Sequence, residues 1–499
     1  PLFFSIPLIL PYRLFFSFFN YFDFLMGFKL PFRYNDPNFQ VFLVGFICFC
    51  CPGMFNALNG MGGAGQADPK TTNDANTALA VTFTVCSLIG APVYNIFGHR
   101  ILLPAGLAYV LYVGSYLTPN AAFTIATGAI LGIGAGFLWT AQAGIMMSYP
   151  DEKDKGKAFS IFWMVFNLGA TVGAAIPLGN NWNNNAGTVK IGTYIGFMVI
   201  MGFGACMSLV LLPASKVIRS NGSPVSLHKF SNWKRECIEV FRLFKDWKML
   251  ILIPLFAGSN WFYTYQFQVY NGGGFFSLRA RSLNNLIYWL CQIVGAGFFG
   301  WLLDWNKLGS RKMRAIFGNT FILAVLVSSW IGAIFVQKKF TYESVQSGDF
   351  VQVDINSPDF AGYIILYAVF GLIDAIYQGF IYWLLGTMTN DNERAARYGG
   401  FYKTIQNAAA AIASQVDAIH TPFMTQIYIN LAIEGLGLLL AFIVCFRVSD
   451  VTVEHVDNLI DGQAPEIMVG GQLDTIEDGN RDYKIEHEEK AYAISHTSS

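Results

Sequence analysis

Residues Ala91 to Arg100 read APVYNIFGHR, and residues Gly300 to Arg314 read GWLLDWNKLGSRKMR. Each stretch sets a small residue (Ala91, Gly300) four positions before a polar one (Asn95, Asp304). A glycine and basic residues follow, as Gly98-His99-Arg100 in the first and Gly309-Ser310-Arg311-Lys312 in the second. The glycine supplies a tight turn, and the cation behind it can meet a carboxylate or the carbonyl end of a neighbouring helix. Asn95, Gly98, Arg100, Asp304, Gly309 and Arg311 are therefore candidates for a cytoplasmic latch. Positive loop charge beside an ordinary turn would also give such a stretch, but the two copies fall at matching places in two halves of the chain.

The halves follow from hydropathy. Of 499 residues, 54% are hydrophobic and 13% charged, about half the charged share of roughly 25% in a soluble protein. Composition alone thus points to a membrane protein. A bilayer core of about 30 Å takes roughly 20 apolar residues per helix. Twelve such runs lie near 38–60, 76–97, 100–118, 121–148, 158–178, 191–213, 248–270, 282–303, 315–336, 360–386, 398–419 and 423–447. They are continuously apolar and lack the alternation of barrel strands, so they read as helices. The expected fold is all-α, with twelve transmembrane helices in two six-helix halves at 34–213 and 248–447, joined by a basic linker at 214–247.

Loop charge orients these spans. With the N-terminus inside, the cytoplasmic loops hold eighteen Lys and Arg, eight of them between Lys216 and Lys248. The opposite loops hold six: Lys70, Lys190, Arg279, Arg281, Lys338 and Lys339. Both termini are expected in the cytoplasm, and the sequon at Asn221 is expected to stay unglycosylated. Residues 1–33 lack the order of a signal peptide and read as non-native or disordered, with an extra span as the alternative. The tail, 448–499, is acidic, with twelve Asp or Glu against three Lys or Arg from 450 onward, and is expected to be disordered. Seven of the eight cysteines fall in apolar runs, so no disulfide framework is implied, and the CFCC cluster at Cys48, Cys50 and Cys51 reads as packing.

The paired loops resemble the G-x-x-x-D-x-x-G-R/K loop of the major facilitator superfamily, which implies a major-facilitator-type fold with alternating access to a central cavity. The first copy departs from that loop at Ala91 and Asn95, and the second carries two extra residues before Gly309. A closer likeness covers most of residues 31–447. NALNGMGGAGQ after span 1, GHRILL, GLIDAIYQGFIYWL in span 10 and RYGGFYKTIQNAAAAI entering span 11 are similar to the Unc-ninety-three-like branch of that superfamily, in a fungal-type membrane protein. The likeness implies that spans 1, 4, 7 and 10 line the cavity and that a regulatory role is open, because parts of this branch are regulatory.

Gly60, Gly62 and Gly65 also spell G-x-G-x-x-G. They follow a membrane span, not a strand, and the position twenty residues beyond Gly65 is Val85 in an apolar run. The glycines read as a compact turn rather than a dinucleotide loop. An ionisable residue inside a span is a site hypothesis by default. Asp374 is the strongest, with Tyr377 and Gln378 at i+3 and i+4, and Glu434 is second. Asn56 and Asn59, Trp139 and Gln142, and Asn260 and Tyr263 complete the expected substrate cavity, although a structural hydrogen bond or ordinary packing fits each residue too. Pro52-Gly53 is expected to break span 1, and Gly128, Gly132 and Gly136 with Gly169 and Gly173 read as close helix contacts.

No nucleophile and base pair, metal cluster or phosphate loop is present, so neither an enzyme nor a cofactor or metal is expected. The expected partners are the lipid bilayer, a small solute and other membrane proteins, with no nucleic acid. Two functions fit. One is a transporter moving a small solute by rocking of the halves, with proton coupling at Asp374. The other is a non-transporting accessory, trafficking or regulatory membrane protein.

Overall fold

The computed structural model describes residues 33–60, 69–118, 120–150, 155–181, 191–219, 241–347, 351–389 and 392–450, together with 222, 224, 225, 238, 239 and three short strands between 453 and 475. Nearly all of the segment 1–33, the glycine loop beyond Gly60, and parts of the linker and tail lie outside the described residues. The chain is an all-α multi-pass integral membrane protein. Among the described residues, seven helices are long and apolar enough to cross a bilayer.

The first begins where Asp36 accepts from the Asn38 N–H at 2.8 Å and Pro37 supplies the first helical residue. It runs as α1 (Pro37–Cys48), a π-helical turn (Phe49–Gly53) and α2 (Met54–Asn59). The break expected at Pro52-Gly53 is thus a widened turn inside a continuous helix, because the wider spacing absorbs the missing proline N–H. Next come α3 (Pro69–Leu88), α4 (Gly90–Phe97), α5 (Leu102–Ser115), α6 (Ala121–Ser148), α7 (Lys155–Asn181) and α8 (Ile191–Met207). After the linker follow α9 (Trp247–Ile251) and α10 (Ile253–Tyr263), the latter extended by a π-helical stretch to Asn271. The series closes with α11 (Leu278–Asp304), α12 (Arg311–Gln337), the short α13 (Tyr342–Gln346), α14 (Phe360–Gly386), α15 (Asn392–Ala418) and α16 (Phe423–Cys445).

Two helices start well before their apolar runs: α3 at Pro69 and α15 at Asn392. Their first turns are polar, and each helix packs on others of the bundle, α3 on α6 and α15, and α15 on α10. Within the tail, where disorder is expected, three short strands are described and the remainder beyond 450 lies outside the described residues. Strands β1 (Val453–Val456), β2 (Glu466–Val469) and β3 (Gln472–Thr475) form an antiparallel sheet in that order. Short runs bearing Val453, Val456, Ile467, Val469 and Leu473 pair in register.

Helix pairing before and after the linker follows one scheme. In the first set α1 packs on α7 and α8, α3 on α6, and α5 on α6 and α8. In the second, α10 packs on α15 and α16, α11 on α14, and α12 on α14 and α16. The sets meet where α3 packs on α15 and α7 on α11. Small residues permit the tightest contacts. A Cβ on Gly132 of α6 would stand 2.1 Å from the Leu79 carbonyl oxygen of α3, and one on Gly371 of α14 would stand 2.2 Å from the Tyr288 oxygen of α11. Cys50 and Cys51 sit in the same kind of seam: a Cβ on Gly204 would reach 2.2 Å from Cys50 Cβ, and Cys51 Sγ donates to the Met201 carbonyl at 3.4 Å.

Adding one carbon at such a contact forces backbone apart. Gly132→Ala is expected to destabilise the fold by about 1–3 kcal/mol, read as a lower thermal unfolding midpoint in detergent. Gly196→Ala, with nothing within 4 Å of the added carbon, should leave the midpoint unchanged. Equal midpoints for the two variants would mean that the α3–α6 seam is looser than described.

Candidate functional site

Where the two sets of helices face each other they enclose a cavity of about 160 Å³. The first set contributes Asn56 and Asn59 of α2, Asn73 and Asn76 of α3, Trp139 of α6 and Trp163 of α7. The second contributes Asn260, Tyr263, Gln292, Gln378, Lys403 and Gln406.

Asp374 is fully buried on α14, just behind the wall. Its Oδ2 accepts from the hydroxyls of Tyr263 (2.8 Å) and Tyr288 (3.0 Å) and from the amide of Gln292, while Oδ1 accepts from Gln378 Nε2 at 2.6 Å. Four donors from α10, α11 and α14 therefore converge on one carboxyl group, as burial of a charge-bearing group demands. The amides continue outward. Gln406 Nε2 donates to Ser259 Oγ at 2.8 Å and reaches Gln378 Oε1 at 3.3 Å, and Lys403 Nζ donates to Gln406 Oε1 at 2.8 Å. A polar chain thus runs Asp374, Gln378, Gln406, Lys403. The ammonium at its end lies 4.8 Å from the ring centre of Trp139, across the interface between the sets.

Among the expected residues, Asn56, Asn59, Trp139, Asn260, Tyr263 and Gln378 line the cavity. Tyr377 is turned away, its hydroxyl donating to the Leu255 carbonyl at 3.1 Å, so only Gln378 shares the work of Asp374's helical face. Gln142 is buried elsewhere in α6 and donates to Met146 Sδ at 3.3 Å. Glu434 is buried between α10, α12 and α16, where it accepts from the Trp330 indole at 2.7 Å. The residues that reading the sequence overlooked are Asn73 and Asn76, Tyr288 and Gln292, and Lys403 and Gln406. Lys403 carried the clearest signal: a lysine inside an apolar run, with Gln406 and Asn407 three and four positions on.

Contacts between the sets flank the cavity on two sides. On one, Asn73 donates to Asp417 at 3.1 Å, Gln415 donates to Thr77 at 2.8 Å, and Asn271 and Asn285 donate to the carbonyls of Gly60 and Ala57. Gly60 is there because a Cβ would stand 2.2 Å from Asn285 Oδ1. On the other side the rings of Phe159 and Trp163 meet Tyr382 at 5.7 and 6.3 Å. The paired loops lie beyond that side. Gly98 (φ 61°) and Gly309 (φ 98°) both take left-handed backbone, which a glycine allows. The side chains of Asn95 and Asp304 lie outside the described ones. Arg100 is exposed, whereas burial and the adjacent Arg100 lower His99 to about 4, leaving it neutral near pH 7. In the second loop the Arg311 N–H donates to Asp450 at 2.6 Å, and it is Arg314 that bonds a helix end, the Leu303 carbonyl, at 2.6 Å.

Similarities to known proteins agree with this arrangement of apolar helices. A family described as ion channel regulatory protein UNC-93 matches residues 72–446. The chain is 42% identical over 427 residues to UNC93-like protein 1 of Arabidopsis thaliana, covering 84% of this chain and 92% of the relative. It is 36% identical over 446 residues to a UNC93-like protein of Schizosaccharomyces pombe, with 88% of each covered. It is also 24% identical over 407 residues to the UNC93-like protein MFSD11 of Xenopus laevis, covering 75% and 88%.

The donors around Asp374 set its tolerance to substitution. Asp374→Leu strands four donors, three of them on the buried residues Tyr288, Gln292 and Gln378, each buried one worth about 1–3 kcal/mol when left unpaired. Asp374→Asn keeps one acceptor oxygen, and its amide can donate to Gln378 once that side chain flips. Asp374→Leu is expected to melt well below Asp374→Asn, and equal midpoints would show that the four hydrogen bonds contribute little.

Proposed function

Because the chain belongs to the UNC-93 family, we propose that it is a membrane transporter of the major facilitator type that moves a small solute by alternating access. The observation that carries this reading is the polar cavity between two sets of helices with matching pairing schemes, flanked on each side by different contacts between the sets. Rocking about the α3–α15 and α7–α11 seams would open one side as the other closes. Twelve spans follow if α3, α5, α7, α10 and α15 cross the membrane beside the seven more apolar helices. The excess of Lys and Arg in their loops supports a cytoplasmic location for both termini, the paired loops and the linker. Asp374 is the proposed proton carrier, since Tyr263, Gln292 and Gln378 connect its carboxyl to the cavity. No enzymatic step is proposed.

A second reading, a regulator or trafficking partner of other membrane proteins, is favoured by the description of the matching family as an ion channel regulatory protein. It needs no movement of the two sets.

Movement can be tested without knowing the solute. In a background lacking Cys206, Cys237 and Cys291, Asn56→Cys on the cavity wall should react with impermeant thiol reagents added from either side of sealed vesicles. A disulfide joining Thr77→Cys to Gln415→Cys should abolish reaction from the side on which Asn73 meets Asp417 and spare the other. Reaction from one side alone, unchanged by the cross-link, would remove the transport reading and favour the regulator. Once a transported solute is found in proteoliposomes, Asp374→Asn should remove the pH dependence of its flux. An unchanged pH profile would exclude Asp374 as the proton carrier.

A further inference from the structure

Lys403 is 7% exposed and lies in the cavity wall. Of its three N–H donors, one is used, on Gln406 Oε1. The rings of Trp139, Tyr402 and Tyr382 stand 4.8, 5.1 and 5.7 Å from Nζ. Such faces favour a cation without offering the directed acceptor that an N–H seeks. Among the described residues no carboxylate lies within 4 Å of this nitrogen. Asp374, the nearest acid along the polar chain, already has its oxygens occupied by Tyr263, Tyr288, Gln292 and Gln378.

The rest of the wall has open amides. The side chains of Asn56, Asn59, Asn76 and Asn260 line the cavity and make no hydrogen bond among the described residues. Aromatic and apolar surface from Phe55, Phe166 and Trp163 fills the intervals. Among the described residues the wall therefore presents one cation with donors to spare, neutral amides and flat apolar surface. A cationic solute would meet the ammonium with no free carboxylate to offset it. The volume of about 160 Å³ is close to the roughly 150 Å³ cavity that takes up benzene, so the occupant is small.

We propose that the cavity binds a small organic monocarboxylate, its carboxylate docked on the Lys403 ammonium and its apolar body lying among Phe55, Trp139 and Phe166. This deepens the transport reading by assigning a substrate class to the same cavity. The carboxylate takes the spare N–H donors, and the asparagine amides hold its remaining lone pairs or a second polar group. Lys403 sits on α15 and Trp139 on α6, so the ligand touches both sets of helices at once.

The test uses the purified full-length protein and three ligands of one shape: benzoate, benzamide and benzylammonium, at matched ionic strength. Benzoate is expected to raise the thermal unfolding midpoint at up to about 10 mM, since a ligand that binds only the folded state stabilises it. The neutral amide and the cation should not. Lys403→Met keeps the stem and removes the charge, and should need at least about tenfold more benzoate for the same shift. Equal stabilisation by benzamide, stabilisation by benzylammonium, or no shift with benzoate each overturns the proposal. The ligand comparison on the unmodified protein decides the matter even if the variant does not fold. Benzoate binding without flux across a proteoliposome would remove the transport reading and leave this assignment. Flux of a neutral or cationic solute with no benzoate binding would do the reverse.

Discussion

The carboxyl group of Asp374 imposes the constraint around which the second set of helices is arranged. An acid deep in a membrane protein is tolerated only when its lone pairs are met by donors, because hydrocarbon and packed side chains supply none. Tyr263, Tyr288, Gln292 and Gln378 meet them from α10, α11 and α14. Those three helices are held in one register by that single group. Since Tyr263, Gln292 and Gln378 also face the cavity, the side chains that stabilise the carboxyl also form part of the wall.

The same demand for satisfied polar groups explains why the least apolar helices lie where they do. α3 and α15 begin with polar turns and carry Asn73, Asn76, Lys403 and Gln406 into the interior. Packed against each other, they keep this polarity away from lipid, and α6 covers α3 along the glycine seam at Gly128, Gly132 and Gly136. Close backbone approach is available only where side chains are small. The large aromatic residues Phe159, Trp163 and Tyr382 are left to fill one end of the interior.

The proposed transport cycle would require the cavity to change sides. The contacts flanking it differ in kind, hydrogen bonds at Asn73–Asp417 and Thr77–Gln415 and aromatic packing at Trp163–Tyr382. Exchange of one for the other is the type of two-state rearrangement on which transport or a conformational signal to a partner would draw. Lys403 bridges the sets through Trp139 and ends the polar chain from Asp374, so an anion seated there would bear on both.

What the sequence by itself determined is set by local composition. Continuous apolar runs specify membrane helices, Gly98 and Gly309 mark turns that need left-handed backbone, and an aspartate inside GLIDAIYQGF marks a buried polar centre. Each property belongs to a few neighbouring residues and their solvent, so each was legible. Tertiary structure alone decided the partners. Helical spacing puts Tyr377 and Gln378 equally near the face of Asp374, yet neighbouring helices draw the first to the Leu255 carbonyl and leave the second on the carboxyl. Glu434 stood second to Asp374 as an acid inside a span, but it accepts from Trp330 and does not line the cavity. Lys403 became a site residue only because α6, more than 250 residues away in the chain, brings Trp139 over it. Hydrogen bonds and ring contacts of this kind are made between residues far apart in sequence, and no local pattern encodes which distant helix will supply them.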